Sequence, residues 1–574
     1  MIKEEIYNPL TEYRDVFRDR FKQIAEKTFA ELAEEAHVDV EANKNTCKKI
    51  YANEQTLSFL KKWILRWKIL KVILILAAIA GFIALFQYIN AWIKVSISVA
   101  ILVDIIYLFK KVSPLLKDMK SERDNLSEII RQLKEEAWTQ MAPLNLLYDW
   151  DILTRMMMKT VPRLEFDPYF TTQRLADLKK VYHWNDSFNA KRSVIYAHSG
   201  LINGNPFVIC RTRKMEMGVK IYWGSKTIYW TTRERGSDGK YHSVQHSEEL
   251  RASVTKPYPE YFEKTRLIYG NTAAPDLTFN RKQSGLAGKE GSLSFNLKKA
   301  SLHRKARNIK NTDYAMMTNE EFEVAFNTSD RNNNQQFALL FTPLAQENML
   351  NLLKDHEVGY GDDFDFKKRF MINTITPNHL QEMDLDLDPK TYYNFDYEKA
   401  KSNFYSINAK YFRAIYFSLA PLLCVPMYQQ IRPQHDIYGK DMPQHSAFWE
   451  HEALANFWGE EYFQHPSCVT NCILKTSQSK EEGDKSTITV EAHGYRSEER
   501  VTNVRKLGGD GKYHNVPVYW EEYFPVTGKG YMYIKEDNSV EDENITHRER
   551  LNHINKVLNK NHLKVYRKHI ASKV

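Results

Sequence analysis

The chain has few cysteines and they do not pair off: Cys47, Cys210, Cys424, Cys468 and Cys472 are 5 thiols in 574 residues. An odd, sparse set excludes a disulfide framework as the source of stability and reads as reduced thiols facing a cytosol. Glycine (22) and proline (19) are too scarce for a fibrous or low-complexity protein. The N-terminal stretch MIKEEIYNPLTEYRDVFRDRFKQIAEKTFA has no apolar run, so no cleavable signal peptide is expected. No GxSxG elbow, HExxH helix or kinase signature occurs, which leaves no catalytic residue to nominate and no cofactor to expect. The charge of +9 is a surplus over abundant acids, so nucleic acid is not an expected partner.

Aromatic residues are plentiful, with 33 Tyr, 29 Phe and 11 Trp, enough to build several buried cores. The longest apolar stretch is KVILILAAIAGFIALFQYINAWIKVSISVAILVDIIYLFKK, Lys71 to Lys111. It predicts two membrane spans, 72–89 and 91–109, each roughly 27 Å at about 1.5 Å per residue, joined by a turn at Gln87, Asn90 and Lys94. Lys61, Lys62, Arg66, Lys68 and Lys71 precede the pair, and Lys110, Lys111, Lys117, Lys120 and Arg123 follow it. That bias expects a multi-pass protein of the cell membrane with both termini and the soluble part cytoplasmic, the lipid bilayer being one partner. A buried hairpin of a soluble protein is the competing reading. Asp104 is the one acid inside a span, where Lys71 or Lys110 could reach it; an ion-transport role through oligomers is the functional alternative.

Amphipathic helices flank the hairpin. Tyr13, Phe17, Phe21, Ile24, Ala25, Thr28 and Leu32 recur at helical spacing before it, as do Met119, Leu126, Ile130, Leu133, Ala137 and Met141 after it. Pairing them as an antiparallel stalk buries both stripes. Beyond about Phe166 the period changes to two, and the reading is an α+β, β-rich domain. The divisions expected are 1–60 (amphipathic helices), 61–112 (hairpin), 113–162 (stalk), 163–430 (α+β domain), 431–545 (second β-rich subdomain) and 546–574 (basic C-terminal helix). AIYFSLAPLLCVPM, Ala414 to Met427, is too short and too proline-broken to span, and reads as core. MDLDLDP alternates Leu385 and Leu387 with Asp384, Asp386 and Asp388, as a strand with one wet face requires.

Two motifs that suggest sites are weaker than they look. GLAGKEG lacks the first glycine of a phosphate loop and has Glu290 where a magnesium-binding hydroxyl belongs, so no nucleotide site is read there. GSDGKYHSV at Gly236 returns as GGDGKYHNV at Gly508; Asp-Gly between period-2 segments predicts two similar hairpin turns. The densest set of metal-ligand types is His435, His445, His451, His465, Cys468 and Cys472, of which His451, His465, Cys468 and Cys472 are the zinc candidates.

The segments ASVTKPYPEYFEKTRLIYGNTAAPDLTFNR, EEFEVAFNTSDRNNNQQFALLFTPLAQENMLNLL and YFRAIYFSLAPLLCVPMYQQ resemble uncharacterised bacterial membrane proteins of the mollicute type. The resemblance implies an N-terminal transmembrane hairpin and an α+β cytosolic domain, and carries over no catalytic residue. The function expected is therefore a membrane-anchored scaffold or binding protein that engages other proteins or itself. A membrane-tethered, metal-assisted enzyme and an oligomeric transport component are the alternatives.

Overall fold

The computed structural model describes residues 6–573 apart from Tyr7 and residues 88–90, 186, 236, 238–239, 308–313, 329, 431–444, 483–484, 537–562 and 568. Two compact units divide the chain: Met1–Ile24, Asp149–Asp388 and Asn408–Val574 form one, and Ala25–Tyr148 with Pro389–Ile407 the other.

The smaller unit is helical. Asp39 accepts from the amide of Ala42 at 2.9 Å, satisfying an orphan donor of helix Val40–Gln87, which runs for 48 residues. After helix Ala91–Tyr107 the chain passes through a π-helical turn, Leu108–Val112, straight into helix Ser113–Asn145, so no cap forms at Ser113. This last helix lies antiparallel to Val40–Gln87. Leu60 and Ile64 pack with Leu108, Val112 and Leu116, and farther along Lys134 pairs with Glu54 at 2.6 Å. An antiparallel helix pair is present, but its first member is helix Val40–Gln87 and not the N-terminal helix foreseen. Asn43 and Asn145 at its far end clasp the loop at 394–397, Asn43 bonding to Phe395 and Tyr397 and Asn145 to Asn394.

The membrane hairpin is not upheld. Among the described residues no helix is long and apolar enough to cross a membrane. Helix Ala91–Tyr107 includes Lys94 and Asp104 and runs on through Leu108–Val112 into the charged helix Ser113–Asn145. The first apolar segment is continuous with the strongly charged first half of helix Val40–Gln87. Leu108, counted within the second span, is buried against protein. The transmembrane fold class and the multi-pass cell-membrane localisation are corrected accordingly. The fold is α+β. The apolar side chains Ile73, Leu76, Ile79 and Phe82 are exposed on this chain.

The larger unit is built on two antiparallel sheets. β1 (Leu164–Phe166), β2 (Arg192–Ile202), β3 (Asn205–Arg235), β4 (Tyr241–Gly270), β5 (Thr278–Arg281), β6 (Phe364–Arg369) and β7 (Ile372–Pro377) form the first, in the order β1-β2-β3-β4-β7-β6-β5. β8 (Ile473–Glu482), β9 (Lys485–Leu507), β10 (Tyr513–Glu536), β11 (Leu563–Tyr566) and β12 (His569–Lys573) form the second, in the order β11-β12-β10-β9-β8. Asn203 and Gly204, with φ of 52° and 76°, close the two-residue turn from β2 to β3, the left-handed pair such a hairpin demands. Helix Phe448–Trp458 joins the core the sheets share. Trp449, Ala453 and Leu454 meet Val194, Ala197 and Val208 of the first sheet and Leu474, Ile488 and Val490 of the second.

β3 and β4, at 31 and 30 residues, would each extend about 100 Å if straight, far beyond the usual strand. Their outer halves stack on the β9–β10 hairpin through Ile228, Leu250, Ala252, Val516 and Val518. Both echoed segments join antiparallel partners: Arg235 pairs with Tyr241, and Leu507 with Tyr513. The Asp510-Gly511 copy closes its turn with Gly511 at φ 74°, while Gly236, Asp238 and Gly239 of the other lie outside the described residues.

Three further expectations meet a definite geometry. Ala414 to Leu423 is the buried end of helix Tyr397–Leu423. Leu385 and Leu387 are buried in alternation with their aspartates, but the segment has no ladder partner and is not a strand. Where a basic helix is expected at 546–574, the described residues form β11 and β12.

Candidate functional site: a basic cavity with aromatic walls

The run Lys367-Lys368-Arg369 in β6 reads in sequence as plain charge. A strand sends alternate side chains to opposite faces, so it splits. Lys368 points into the core, fully buried, and donates to the carbonyls of Ala273 at 3.0 Å and Phe370 at 2.6 Å. Lys367 and Arg369 go to the other face. The ladder fixes their neighbours: Lys367 pairs with Thr374 of β7, Thr374 with Ile268 of β4, and Arg369 with Ile372. Two residues before Ile268 on the same face is Arg266, whose register partner is Cys210 of β3.

This face is the floor of a cavity of about 490 Å³. Its wall comes from the segment that leads into β2, with His183, Trp184 and Phe188, from Arg192 at the start of that strand, and from Trp449 of helix Phe448–Trp458. The aromatic rings brace one another: Trp449 lies 5.1 Å from Trp184 and 4.8 Å from Phe188. Arg192 sits over Phe188 at 5.8 Å, a cation–π contact. Trp184 is fixed by its backbone N–H donating to Leu178 at 2.9 Å.

Arg192, Arg266, Lys367 and Arg369 therefore line one space, and among the described residues none of them makes an ion pair with a carboxylate. Arg266 donates to the neutral hydroxyl of Thr212 at 3.1 Å. The charges burden one another. Burial holds Arg266 below its usual range, and the nearby charge of Arg192 pushes the same way. Lys367 is lowered first by burial, then by Arg369 and Arg266. Two unit charges 4 Å apart at a protein surface interact by about 4 kcal/mol, so uncompensated cations here favour an anion strongly. Guanidinium forks match carboxylate and phosphate oxygens, and the tryptophans offer flat apolar surface. The volume falls within the range of small-ligand sites.

The residues singled out as metal ligands do not converge. His451 is buried and hydrogen-bonds to the Ser446 hydroxyl at 2.9 Å, and burial pushes its pKa down to about 4. His465 is exposed and bonds to Ser467. His445 is exposed, and His435 lies outside the described residues. Cys468 and Cys472 do meet, with their sulfurs 3.6 Å apart. Among the described residues no group of three or more His, Cys, Asp or Glu side chains could hold a metal ion. The loop that resembles a phosphate cradle is already occupied by the protein: the amides of Ser284 and Gly285 donate to Asp362 at 2.9 and 2.7 Å, and Arg281 pairs with the same carboxylate.

No family model, no curated protein and no solved structure matches this chain. The site therefore rests on its own geometry. Its four cations were not singled out in the sequence, where they stand among many others. The available signal was the alternation in KTRLIYG and FDFKKRF, which puts Lys367 and Arg369 on one face of their strand and Arg266 on one face of its own, without revealing that the two faces are the same.

Proposed function

We propose that this chain is a binding protein whose cavity takes a small organic anion carrying a phosphate or carboxylate on a planar ring. The observation that supports it is the set Arg192, Arg266, Lys367 and Arg369, gathered without carboxylate partners among the described residues beside Trp184, Phe188 and Trp449. A bound anion relieves the mutual repulsion of the cations and regains what their partial burial costs. The ring stacks on the aromatic wall. Of the readings drawn from sequence, this one takes up the binding protein, since the cavity offers cations and aromatic rings that hold an anion.

Calorimetric titration with adenosine 5′-phosphate, inorganic phosphate and adenosine tests it. The expected result is saturable binding of the nucleotide, weaker binding of phosphate, and weakest binding of adenosine. Arg266→Ala and Lys367→Ala should each weaken the nucleotide tenfold or more, about 1.4 kcal/mol. Nucleotide binding that neither substitution changes, or none at millimolar concentration, overturns the proposal. An oligoadenylate far tighter than the mononucleotide would replace the small-ligand reading with a nucleic-acid one.

A further inference from the structure

The two cysteines left over from the metal-ligand set form a pair of their own. Cys468 and Cys472 are both free, with their sulfurs 3.6 Å apart. Cys468 is half-buried, and its sulfur lies 3.3 Å from the carbonyl oxygen of Thr470; Cys472 is fully buried. Four bonds pin the loop between them: the amide of Val469 donates to the carbonyl of Tyr495 at 2.9 Å, the amide of Tyr495 to the Thr470 hydroxyl at 3.0 Å, the amide of Cys472 to Glu460 at 2.8 Å, and the Tyr261 and Thr470 hydroxyls bond at 3.1 Å. The neighbouring strand makes room for the pair. A side-chain carbon on Gly494 of β9 would stand 2.4 Å from the sulfur of Cys468 and 2.9 Å from that of Cys472, so glycine at this position is what allows both thiols to occupy the same pocket.

Two thiols are half of a structural zinc set, and no third ligand joins them among the described residues. They are a complete dithiol. A disulfide needs its sulfurs at about 2.05 Å, and the observed sulfurs are already in contact at 3.6 Å.

We infer that Cys468 and Cys472 are a reversible redox pair, oxidised to an intramolecular disulfide by small-molecule disulfides. The half-exposed Cys468 attacks first. Its thiolate bonds to one sulfur of the small disulfide, breaking that S–S bond and expelling one small thiolate, which leaves a mixed disulfide on Cys468. Cys472 then gives its proton to water and attacks the Cys468 sulfur, expelling the second small thiolate. The protein loses two electrons and two protons, and the small disulfide gains both as two thiols. Burial, and then the adjoining Cys468 sulfur, raises the Cys472 thiol, which disfavours Cys472 as the first attacker.

The test is incubation of the folded full chain with oxidised glutathione under anaerobic conditions, followed by alkylation and peptide mass mapping. The expected product is one cross-link between Cys468 and Cys472, reversed by dithiothreitol. Cys472→Ser should stop at glutathione attached to Cys468, and Cys468→Ser should give neither species. Should a serine variant fail to fold, the parent chain decides alone: titrated across glutathione redox buffers, this peptide pair should oxidise in a single two-electron transition while Cys47, Cys210 and Cys424 stay reduced. Oxidation that appears only after denaturant is added, or glutathione found on Cys472 first, overturns the inference.

Discussion

Lys368 and its two neighbours show what one residue's side of a strand decides. Lys367 and Arg369 face the cavity, whereas Lys368 lies in the core on two backbone carbonyls, and burial brings its pKa down to about 7. The unfolded chain holds that proton up to about pH 10.4, so between roughly pH 7 and 10 the unfolded state binds more protons than the native one. The native state is thus penalised most below pH 7 and recovers as pH rises. Lys368→Met removes this dependence. Between pH 7 and 9 the difference in unfolding free energy, followed by urea denaturation, should move in favour of the parent chain by about 1.4 kcal/mol per pH unit. Parallel curves would mean that Lys368 stays charged when buried. That such a residue is core and its neighbours are not was legible as alternation. Which face becomes a cavity was not, because Phe364 and Phe366 mark the buried side while nothing local says what covers the other.

At the scale of elements, the β3–β4 and β9–β10 hairpins carry the clearest agreement between sequence and fold. The repeated Asp-Gly segments predict turns from local backbone chemistry alone, and both segments connect antiparallel strands. The stacking of one hairpin on the other was not legible, since it depends on a close approach between residues nearly 300 positions apart. At Gly224 a side-chain carbon would stand 2.1 Å from the carbonyl oxygen of Pro517. Gly224→Val should therefore separate the hairpins there at a cost of about 1–3 kcal/mol. Faster hydrogen exchange at Val516 and Val518 would report the separation, and unchanged exchange would show that the stack is held elsewhere. The apolar hairpin gave the opposite lesson. Its hydrophobicity was plain, but the burial of Leu108 beside Leu60 and Ile64 depends on packing that a hydropathy pattern does not contain.

At the scale of the whole chain, one sheet brings together four charges from three separate strands. Arg192 opens β2, Arg266 lies in β4, and Lys367 and Arg369 reach the same face only because β7 pairs with β4 and β6 with β7. A sequence without that topology shows scattered cations in a chain of net charge +9. The measurement that tests the assignment most directly is photolabelling with 8-azidoadenosine 5′-phosphate, with the adduct mapped by peptide mass spectrometry. The account predicts adducts within 183–192 or 367–374, suppressed by excess adenosine 5′-phosphate and much less by adenosine. Adducts spread along the chain, or concentrated elsewhere and indifferent to competitor, would contradict it.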